Sequence, residues 1–440
     1  MSSNTLWLAL FATQLSLGVA QAQPATAGGQ PAPVSPVSHG LLHNDRDLAR
    51  WVAAHSPDVS ASRAELQAQR AAASGSRLFM NPTLDIGVAD FALGQTNPPN
   101  FARGKTLQYN AGISQTVELA KRGPRIKAAD LQATAAEARF QNTVAERVGL
   151  ARGALAELLF SLLRAQQLDA SLQEARAAGV IAQGRMAHND LSGVDYDRML
   201  IDLAALETDR AHAEADALAA EAQCAAALQA PCSLREADVE TLDAAAPVPA
   251  GAAPDYDLRQ RADIRALASE AQASTEGAQL AAARAVPDLT FRLGYTHDSF
   301  TVSGALANSL SLSLSAPLPM FDRGQYAKNE ALANAAQARA QAHAQWVRAQ
   351  GDLAGLYARK RAVEGALHKL EHDSLPRANG VLEAEERGLK EGQLDLNDLL
   401  LARRAAIAVR LQTLELHFEL FQVRNALRQV MGLDQALTQG

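Results

Sequence analysis

Two stretches of this chain alternate strictly between apolar and polar residues and then lead directly into long helical sequence. Residues 107–122, LQYNAGISQTVELAKR, begin with this period of two, which is typical of a strand with one apolar and one polar face. The same junction recurs in the second half of the chain at residues 310–323, LSLSLSAPLPMFDR. A further alternating stretch precedes each junction, TLDIGVA and LTFRLGYT, so the sequence predicts two strand pairs within residues 82–118 and 287–319.

Each strand pair is followed by a long stretch rich in Ala, Glu, Gln and Arg. The first predicted helix, residues 125–188, contains no proline and would be close to 100 Å long at about 1.5 Å per residue. The sequence NDLSG at 189–193 predicts a turn, and a return helix follows at 194–231. In the second half we expect a helix at 326–387, a turn at 388–394 and a last helix ending at Gly432.

The last predicted helix carries two apolar seams, which indicate two neighbouring helices. We interpret this as packing in a multi-helix assembly, because the sequence offers no other segment to cover a helix over such a length. The alternative is a helix buried within a monomer. The seams are Leu411, Leu414, Phe418 and Phe421, and Leu416, Leu420, Val423, Leu427 and Val430.

The N-terminus resembles a secretory signal: residues 6–19 are apolar, and Ala20-Gln21-Ala22 fits a cleavage site. The alternative is a buried N-terminal helix. We therefore expect the following organisation: signal peptide 1–22, flexible Pro/Ala-rich leader 23–44, first repeat 45–232 (with long hairpin 122–230), connecting segment 233–256, second repeat 257–434 (with long hairpin 324–432) and tail 435–440.

Composition and the motifs present exclude several classes of function. A net charge of -7 without a basic, aromatic-rich stripe argues against a nucleic-acid partner. The sequence contains no recognisable catalytic constellation or phosphate-binding loop, so we predict neither enzyme activity nor a cofactor. His368, Glu371 and His372 have spacing that can hold a metal, but on a solvent-facing helix we favour ordinary surface residues, and we predict no metal site.

The two cysteines, Cys224 and Cys232, flank Pro231. In an oxidising compartment they could form a disulfide across that break. The alternative is that both are free thiols at the end of a helix.

Strands with one apolar and one polar face suit a membrane barrel with a wet interior. Four such strands cannot close a barrel alone, and an open sheet edge is not tolerated in lipid, so several copies would be required. The alternative is a soluble β-sandwich beside a coiled coil, which explains neither the signal sequence nor the direct strand-to-helix junctions.

Three motifs resemble the TolC-type outer-membrane efflux proteins. They are NPTLDIGVADF at 81–91, SQTVELAKR at 114–122 and LSAPLPMFDRGQ at 314–325. The resemblance is strongest to the outer-membrane subunits of cobalt–zinc–cadmium exporters, although a single Ala120 stands where that branch has Gly-Gly. It implies a mainly α fold with membrane β: four transmembrane strands per protomer, a homotrimeric twelve-stranded barrel, and a periplasmic tunnel of long antiparallel α-helical hairpins.

The resemblance also implies a function and partners. The chain would be the passive exit duct of a three-part exporter in the outer membrane of a Gram-negative bacterium, extending into the periplasm. Its partners would be two further copies of itself, outer-membrane lipid, a periplasmic adaptor and an inner-membrane RND pump, and its cargo would be heavy-metal cations. The alternatives are a drug-efflux or type I secretion duct and, in a different class, a periplasmic coiled-coil adaptor without a pore.

In TolC-like channels the hairpin turns form the periplasmic tip, where acidic rings constrict the tunnel. The matching acids here are Asp398, Asp195 and Asp395; the alternative is that they are simply acids favoured at helix N-termini. Leu401 and Leu394 stand where the archetype has a second aspartate and a locking arginine, so we do not expect the archetype's lock. The residues expected to dock the adaptor or pump are Asn189, Leu191, Ser192, Gly193, Gly392 and Leu394.

Overall fold

The computed structural model describes residues 40–91, 93–94, 106–234, 239–249, 257–299, 306–391 and 396–439. Its helices are α1 Gly40–His43, α2 Asp45–His55, α3 Pro57–Gly75, α4 Arg122–Ala187, α5 Gly193–Leu228, α6 Val239–Ala244, α7 Ala262–Ala282, α8 Gln325–Lys369, α9 Leu375–Glu391 and α10 Leu396–Met431. Its strands are β1 Thr83–Ala89, β2 Gln108–Val117, β3 Leu289–Asp298 and β4 Asn308–Ser315. A π-helical turn, Leu370–Ser374, joins α8 to α9, and the chain closes with the 3₁₀ segment Leu433–Gln439.

The duplication expected from the two junctions is present in the order of elements. A helix, two strands, a long helix and a return helix occur first as α3 to α5 and again as α7 to α10. The return helices α5 and α10 have 36 residues each. The long helix has 66 residues in the first repeat, whereas in the second it is divided into 45 residues, a 5-residue π turn and 17 residues.

The predicted end of the second long helix is wrong. The sequence suggested a turn beginning at Gly388, but α9 continues to Glu391, and both Gly388 and Leu389 are buried within it. Leu389 packs with Leu382 and Leu396 in one apolar cluster, and this tertiary packing outweighs the low helix propensity of a single glycine. Residues 392–395 lie outside the described residues.

The four strands form one antiparallel sheet in the order β1-β2-β3-β4. The contact between β2 and β3 joins the two repeats, and the register aligns residues into rows across all four strands. One such row is Leu84, Ile113, Leu293 and Leu312, and the next row on the opposite face is Asp85, Gly112, Gly294 and Ser311.

The junction from β4 to α8 requires glycine. Gly324 has φ +78°, and a Cβ atom there would overlap the carbonyl oxygen of Ala281 at the end of α7. An L side chain would therefore be excluded both by the backbone conformation and by the close approach of α7.

Both seams of α10 are covered by the same chain, which corrects our interpretation that they imply packing between copies. Phe418 stacks on Phe160 of α4, with ring centroids 4.5 Å apart. On the other side, Leu427 lies in a buried cluster with Leu353 and Tyr357 of α8. The sequence correctly indicated two neighbours, but α4 and α8 supply them.

The predicted signal peptide and most of the predicted leader fall outside the described residues. Within the described ranges, no helix combines the length and the apolarity needed to cross a membrane.

Candidate functional site: sheet faces and hairpin ends

The apolar face of the sheet is open to its surroundings on every strand. Ile86 on β1 is 77% exposed and Leu312 on β4 is 80% exposed, and the central strands show Ile113 and Leu293 nearly half exposed. An exposed apolar patch of this extent marks an interface with a partner or a membrane. We refer to these residues as the apolar sheet face: Leu84, Ile86, Val88, Tyr109, Ala111, Ile113, Phe291, Leu293, Tyr295, Leu310, Leu312 and Leu314.

The opposite face carries most of the sheet's polar residues, including Asp85 and Arg292. Arg292 on β3 reaches across β2 and donates to Asp85 on β1, with Nη1 2.7 Å from Oδ2. Gly112 lies beneath the guanidinium, and a Cβ atom there would come within 2.9 Å of Nη2. Because Gly112 has no side chain, the Arg292 guanidinium can cross β2 to reach Asp85. The alternation of apolar and polar residues did not predict this role of the glycine.

Exposed aromatic residues lie where the sheet meets the helices. Phe79 precedes β1 and is 74% exposed, and Phe321 and Tyr326 follow β4 at 92% and 79%. The Arg122 guanidinium lies 4.3 Å from the ring centroid of Phe79. Aromatic residues bordering an apolar strand face are characteristic of a membrane–water boundary.

The first hairpin ends in a capped and ion-paired turn. Asn189 adopts the left-handed conformation at φ 58°, and the Ser192 hydroxyl caps α5 by accepting from the backbone N–H of Asp195 at 3.1 Å. Arg198 then lies 3.1 Å from an Asp195 carboxylate oxygen and also donates to Asn397 of α10 at 3.3 Å. Asp195 thus accepts from the Ser192 hydroxyl and is paired with an arginine, and Arg198 connects the two hairpins.

Asp398 has a different environment. It lies in the first turn of α10 and is exposed, and no hydrogen bond or ion pair to its carboxylate is found within the described part of the chain. The structure therefore separates the two acids that the sequence had treated alike. Asp395, Gly392 and Leu394 fall outside the described residues.

The remaining predicted docking residues lie together at the end of the first hairpin. Leu191 packs partly buried against the apolar cluster between the hairpins, and Gly193 starts α5. Arg185 donates to the carbonyl oxygen of Leu389 on α9, which gives a second connection between the hairpins.

Cys224 and Cys232 form a disulfide across Pro231, which decides between the two alternatives left open by the sequence. His368, Glu371 and His372 have a spacing that could hold a metal, but their side chains do not converge. His372 Nδ1 lies 3.0 Å from the His368 carbonyl oxygen, and the Glu371 carboxylate contacts His417. No group of three or more metal-ligating side chains converges anywhere in the described ranges.

Sequence reasoning missed a buried charge cluster formed by Asp45, Arg152, Arg428 and Asp434. Arg152 donates to Asp45, Asn425 and Asp434 at 2.9 Å, and Arg428 reaches Asp45 at 2.6 Å and Asp434 at 2.7 Å. Burial alone would raise the pKa of Asp434, but the hydrogen bonds and charges of the two arginines outweigh it, and the pKa is lowered. The only signal in the sequence was an arginine interrupting the apolar run 149–156.

His417 on α10 is held between two carboxylates. Its Nδ1 lies 3.0 Å from Asp243 of α6, and its Nε2 lies 3.1 Å from Glu371 of the π turn. Burial works to lower the pKa of His417, but the hydrogen bonds and charges of Asp243 and Glu371 raise it overall. The π turn therefore provides one of the two acids that hold this histidine.

Comparisons with known proteins agree with this geometry. Residues 254–433 match the family model described as outer membrane efflux protein. The cobalt–zinc–cadmium resistance protein CzcC of Cupriavidus metallidurans is 26% identical over 385 residues, which cover 85% of this chain and 86% of CzcC. Among solved structures, CusC superposes with a TM-score of 0.75 at 15% identity, covering 92% of this chain and 98% of CusC. The open state of the Neisseria gonorrhoeae MtrE outer membrane channel gives 0.72 at 17% identity, covering 89% of both chains.

A small two-faced sheet joined directly to two long helical hairpins is thus the fold of a TolC-like outer-membrane channel. Residues 254–433 match the outer membrane efflux protein family, and 92% of the chain shares the fold of CusC, in agreement with the resemblance carried by the strand-to-helix motifs.

Proposed function

We propose that this chain is the exit duct of a three-part exporter for heavy-metal cations, and that three copies close their sheets into one twelve-stranded barrel in lipid. The observation that carries this proposal is the apolar sheet face, which is exposed along all four strands while the opposite face holds Arg292 and Asp85. Within the described residues, the outer edges of β1 and β4 have no strand partner. Neighbouring copies would supply those partners and remove the edges.

The duct would work with a periplasmic adaptor and an inner-membrane RND pump. The ends of the hairpins would dock these partners through the first turn, residues 189–193, and through Gly392 and Leu394, which lie outside the described residues. The exposed Val194 beside the first turn offers an apolar contact there. Transport through the duct would be diffusion without covalent chemistry. We retain residues 1–22 as a signal peptide and 45–232 and 257–434 as the two repeats in this proposal.

Metal cargo is supported by the similarity to CzcC, a cobalt–zinc–cadmium resistance protein. The test is to delete the gene in its host and measure the growth inhibition caused by zinc, cobalt and cadmium and by a hydrophobic antibiotic. We expect sensitivity to the metals alone, restored by the wild-type gene. Sensitivity to the antibiotic alone would favour the drug-efflux alternative.

The trimeric barrel has a separate test. Outer-membrane extract run on an unboiled gel should contain a heat-sensitive trimer. A monomer found only in the soluble periplasmic fraction would contradict the duct and favour the pore-less adaptor.

Three copies of Asp398 would form an acidic ring at the periplasmic mouth that favours cations. In planar bilayers, Asp398→Asn should reduce the preference for potassium over chloride. Asp195→Asn is the matched control, because Arg198 already neutralises that carboxylate, and its effect should be much smaller. If Asp398→Asn left the preference for potassium unchanged, or if both variants reduced it equally, the proposed acidic ring would be contradicted.

A further inference from the structure

Arg403 on α10 is a buried cation whose hydrogen bonds are incomplete. The residue is 1% exposed, and its Nε and Nη2 atoms are buried without a hydrogen-bond partner in the described part of the chain. Its nearest carboxylate oxygen belongs to Glu386, 4.0 Å from Nη2, which is beyond hydrogen-bond distance. An unsatisfied buried charge carries a large desolvation cost, so Arg403 has a donor group free for a further polar partner.

The neighbouring acids are already engaged by other arginines. Asp202 lies 2.6 Å from Arg404 Nε, and Glu174 lies 3.2 Å from Arg410 Nη1. Burial lowers the pKa of Arg403 although Glu386, Asp202 and Glu174 work in the opposite direction. The carboxylates around Arg403 therefore lessen the cost of its burial without completing its hydrogen bonds.

A cavity of about 240 Å³ opens beside Arg403, between α4, α5 and α10. Its walls include the apolar side chains of Val180, Met199 and Leu203. The charged groups in its lining are Arg176, Asp202 and Arg403. Arg176 is paired with Glu207 at 2.7 Å and Asp202 with Arg404 at 2.6 Å, so Arg403 is the lining charge without a close counter-ion in the described part of the chain. The cavity thus places a guanidinium with incomplete hydrogen bonds beside apolar side chains, and it opens to the surface at Val180, which is 70% exposed.

We propose that this cavity binds a small carboxylate anion, with Arg403 as the residue that receives it. A guanidinium presents a planar fork of donors that matches the two oxygens of a carboxylate. Because Arg403 is almost fully covered, the ligand must be small. The site is distinct from the Asp398 ring and does not depend on which cargo the duct carries.

The test uses the full-length channel in detergent with sodium acetate as the probe. The melting temperature is measured in acetate and in sodium chloride of equal ionic strength, for wild type and Arg403→Met. Wild type should gain about 1–3 °C more than Arg403→Met as acetate approaches saturation, because only wild type has the binding site. Arg403→Met should melt no lower than wild type in chloride, since the variant replaces an unsatisfied buried charge with an apolar side chain of similar length.

Arg404→Met is the matched control, one position along the same helix. It should melt lower than wild type in chloride, because it leaves Asp202 without its arginine, yet it should retain the gain in acetate. Saturation-transfer NMR of the acetate methyl protons provides a readout independent of stability: wild type and Arg404→Met should show transfer, and Arg403→Met should not. Transfer that is absent from wild type, or equally strong in Arg403→Met, would overturn the proposal.

Discussion

Two arginines of this protein are equally buried but have very different surroundings. Arg152 is 0% exposed and Arg403 is 1% exposed. Every N–H-bearing nitrogen of the Arg152 guanidinium donates to Asp45, Asn425 or Asp434, whereas two of those nitrogens in Arg403 have no partner in the described part of the chain. Burial lowers the pKa of both, but only around Arg152 do the partners raise it overall. The comparison teaches that partners, rather than depth, distinguish a structural charge from a binding residue.

The difference follows from where the two arginines lie along α4 and α10. Arg152 lies where four segments meet, and the acids come from the start of α2, as Asp45, and from the segment after α10, as Asp434. Arg403 lies close to the hairpin ends, where the described neighbours are α4, α5 and α9, and where Asp202 and Glu174 are paired with other arginines. The four-segment cluster holds the two repeats together, while the surroundings of Arg403 leave a cavity.

The largest effect should come from breaking the cluster around Arg152. Arg152→Met leaves Asp45 and Asp434 with Arg428 alone, and we expect a loss of about 3–5 kcal/mol in the free energy of unfolding. The measurement is denaturant unfolding in detergent, followed by circular dichroism. Arg403→Met is the control and should lose no stability. Equal losses in the two variants would show that the difference in partners has no energetic consequence.

The second prediction compares the two faces of β4. Leu310→Arg places a charge on the apolar sheet face. A lipid-facing arginine near the middle of the bilayer destabilises a membrane barrel by about 2–4 kcal/mol. Ser309→Arg, on the adjacent residue and the opposite face, should cost much less because that face would line water. The amount of heat-sensitive trimer in the outer membrane should therefore fall for Leu310→Arg only. A similar fall for both would contradict the assignment of the faces.

Periodicity predicted much of the fold because its elements are long or strictly alternating. The row Leu84, Ile113, Leu293 and Leu312 follows from a period of two, and the length of α4 follows from a proline-free, alanine-rich sequence. Boundaries set by packing were not predictable. The local sequence at Gly388 and Leu389 predicted a turn, but packing of Leu389 against other leucines keeps these residues helical.

The candidate site was predicted less completely. The internal repeat in the sequence places Asp195 and Asp398 at equivalent positions. Only the structure shows that Arg198 neutralises Asp195. The pairing of Arg152 with Asp434, or of His417 with Asp243, joins residues far apart in the chain. No periodic pattern encodes such contacts, because they depend on how the helices and the connecting segment meet.

His417 is intermediate between the fully hydrogen-bonded Arg152 and the incompletely bonded Arg403. It can donate to both of its carboxylates only while both ring nitrogens carry a proton. Asp243 and Glu371 raise its pKa in the folded chain above the unfolded value of about 6.5. The stabilisation is therefore fully present below about pH 6.5 and is lost as pH rises through the raised folded pKa. We expect a loss of about 1–2 kcal/mol across that window, the size of a charge-assisted hydrogen bond.

The measurement is the free energy of unfolding of wild type and His417→Gln between pH 6 and pH 9. The glutamine can still donate a hydrogen bond to one carboxylate but cannot carry a charge, so its stability should change less over this range. A slope that disappears in His417→Gln would assign this pH response to His417 and its two carboxylates, Asp243 of α6 and Glu371 of the π turn. Parallel curves for the two proteins would mean that other groups produce the pH dependence and that His417 gains nothing from its proton.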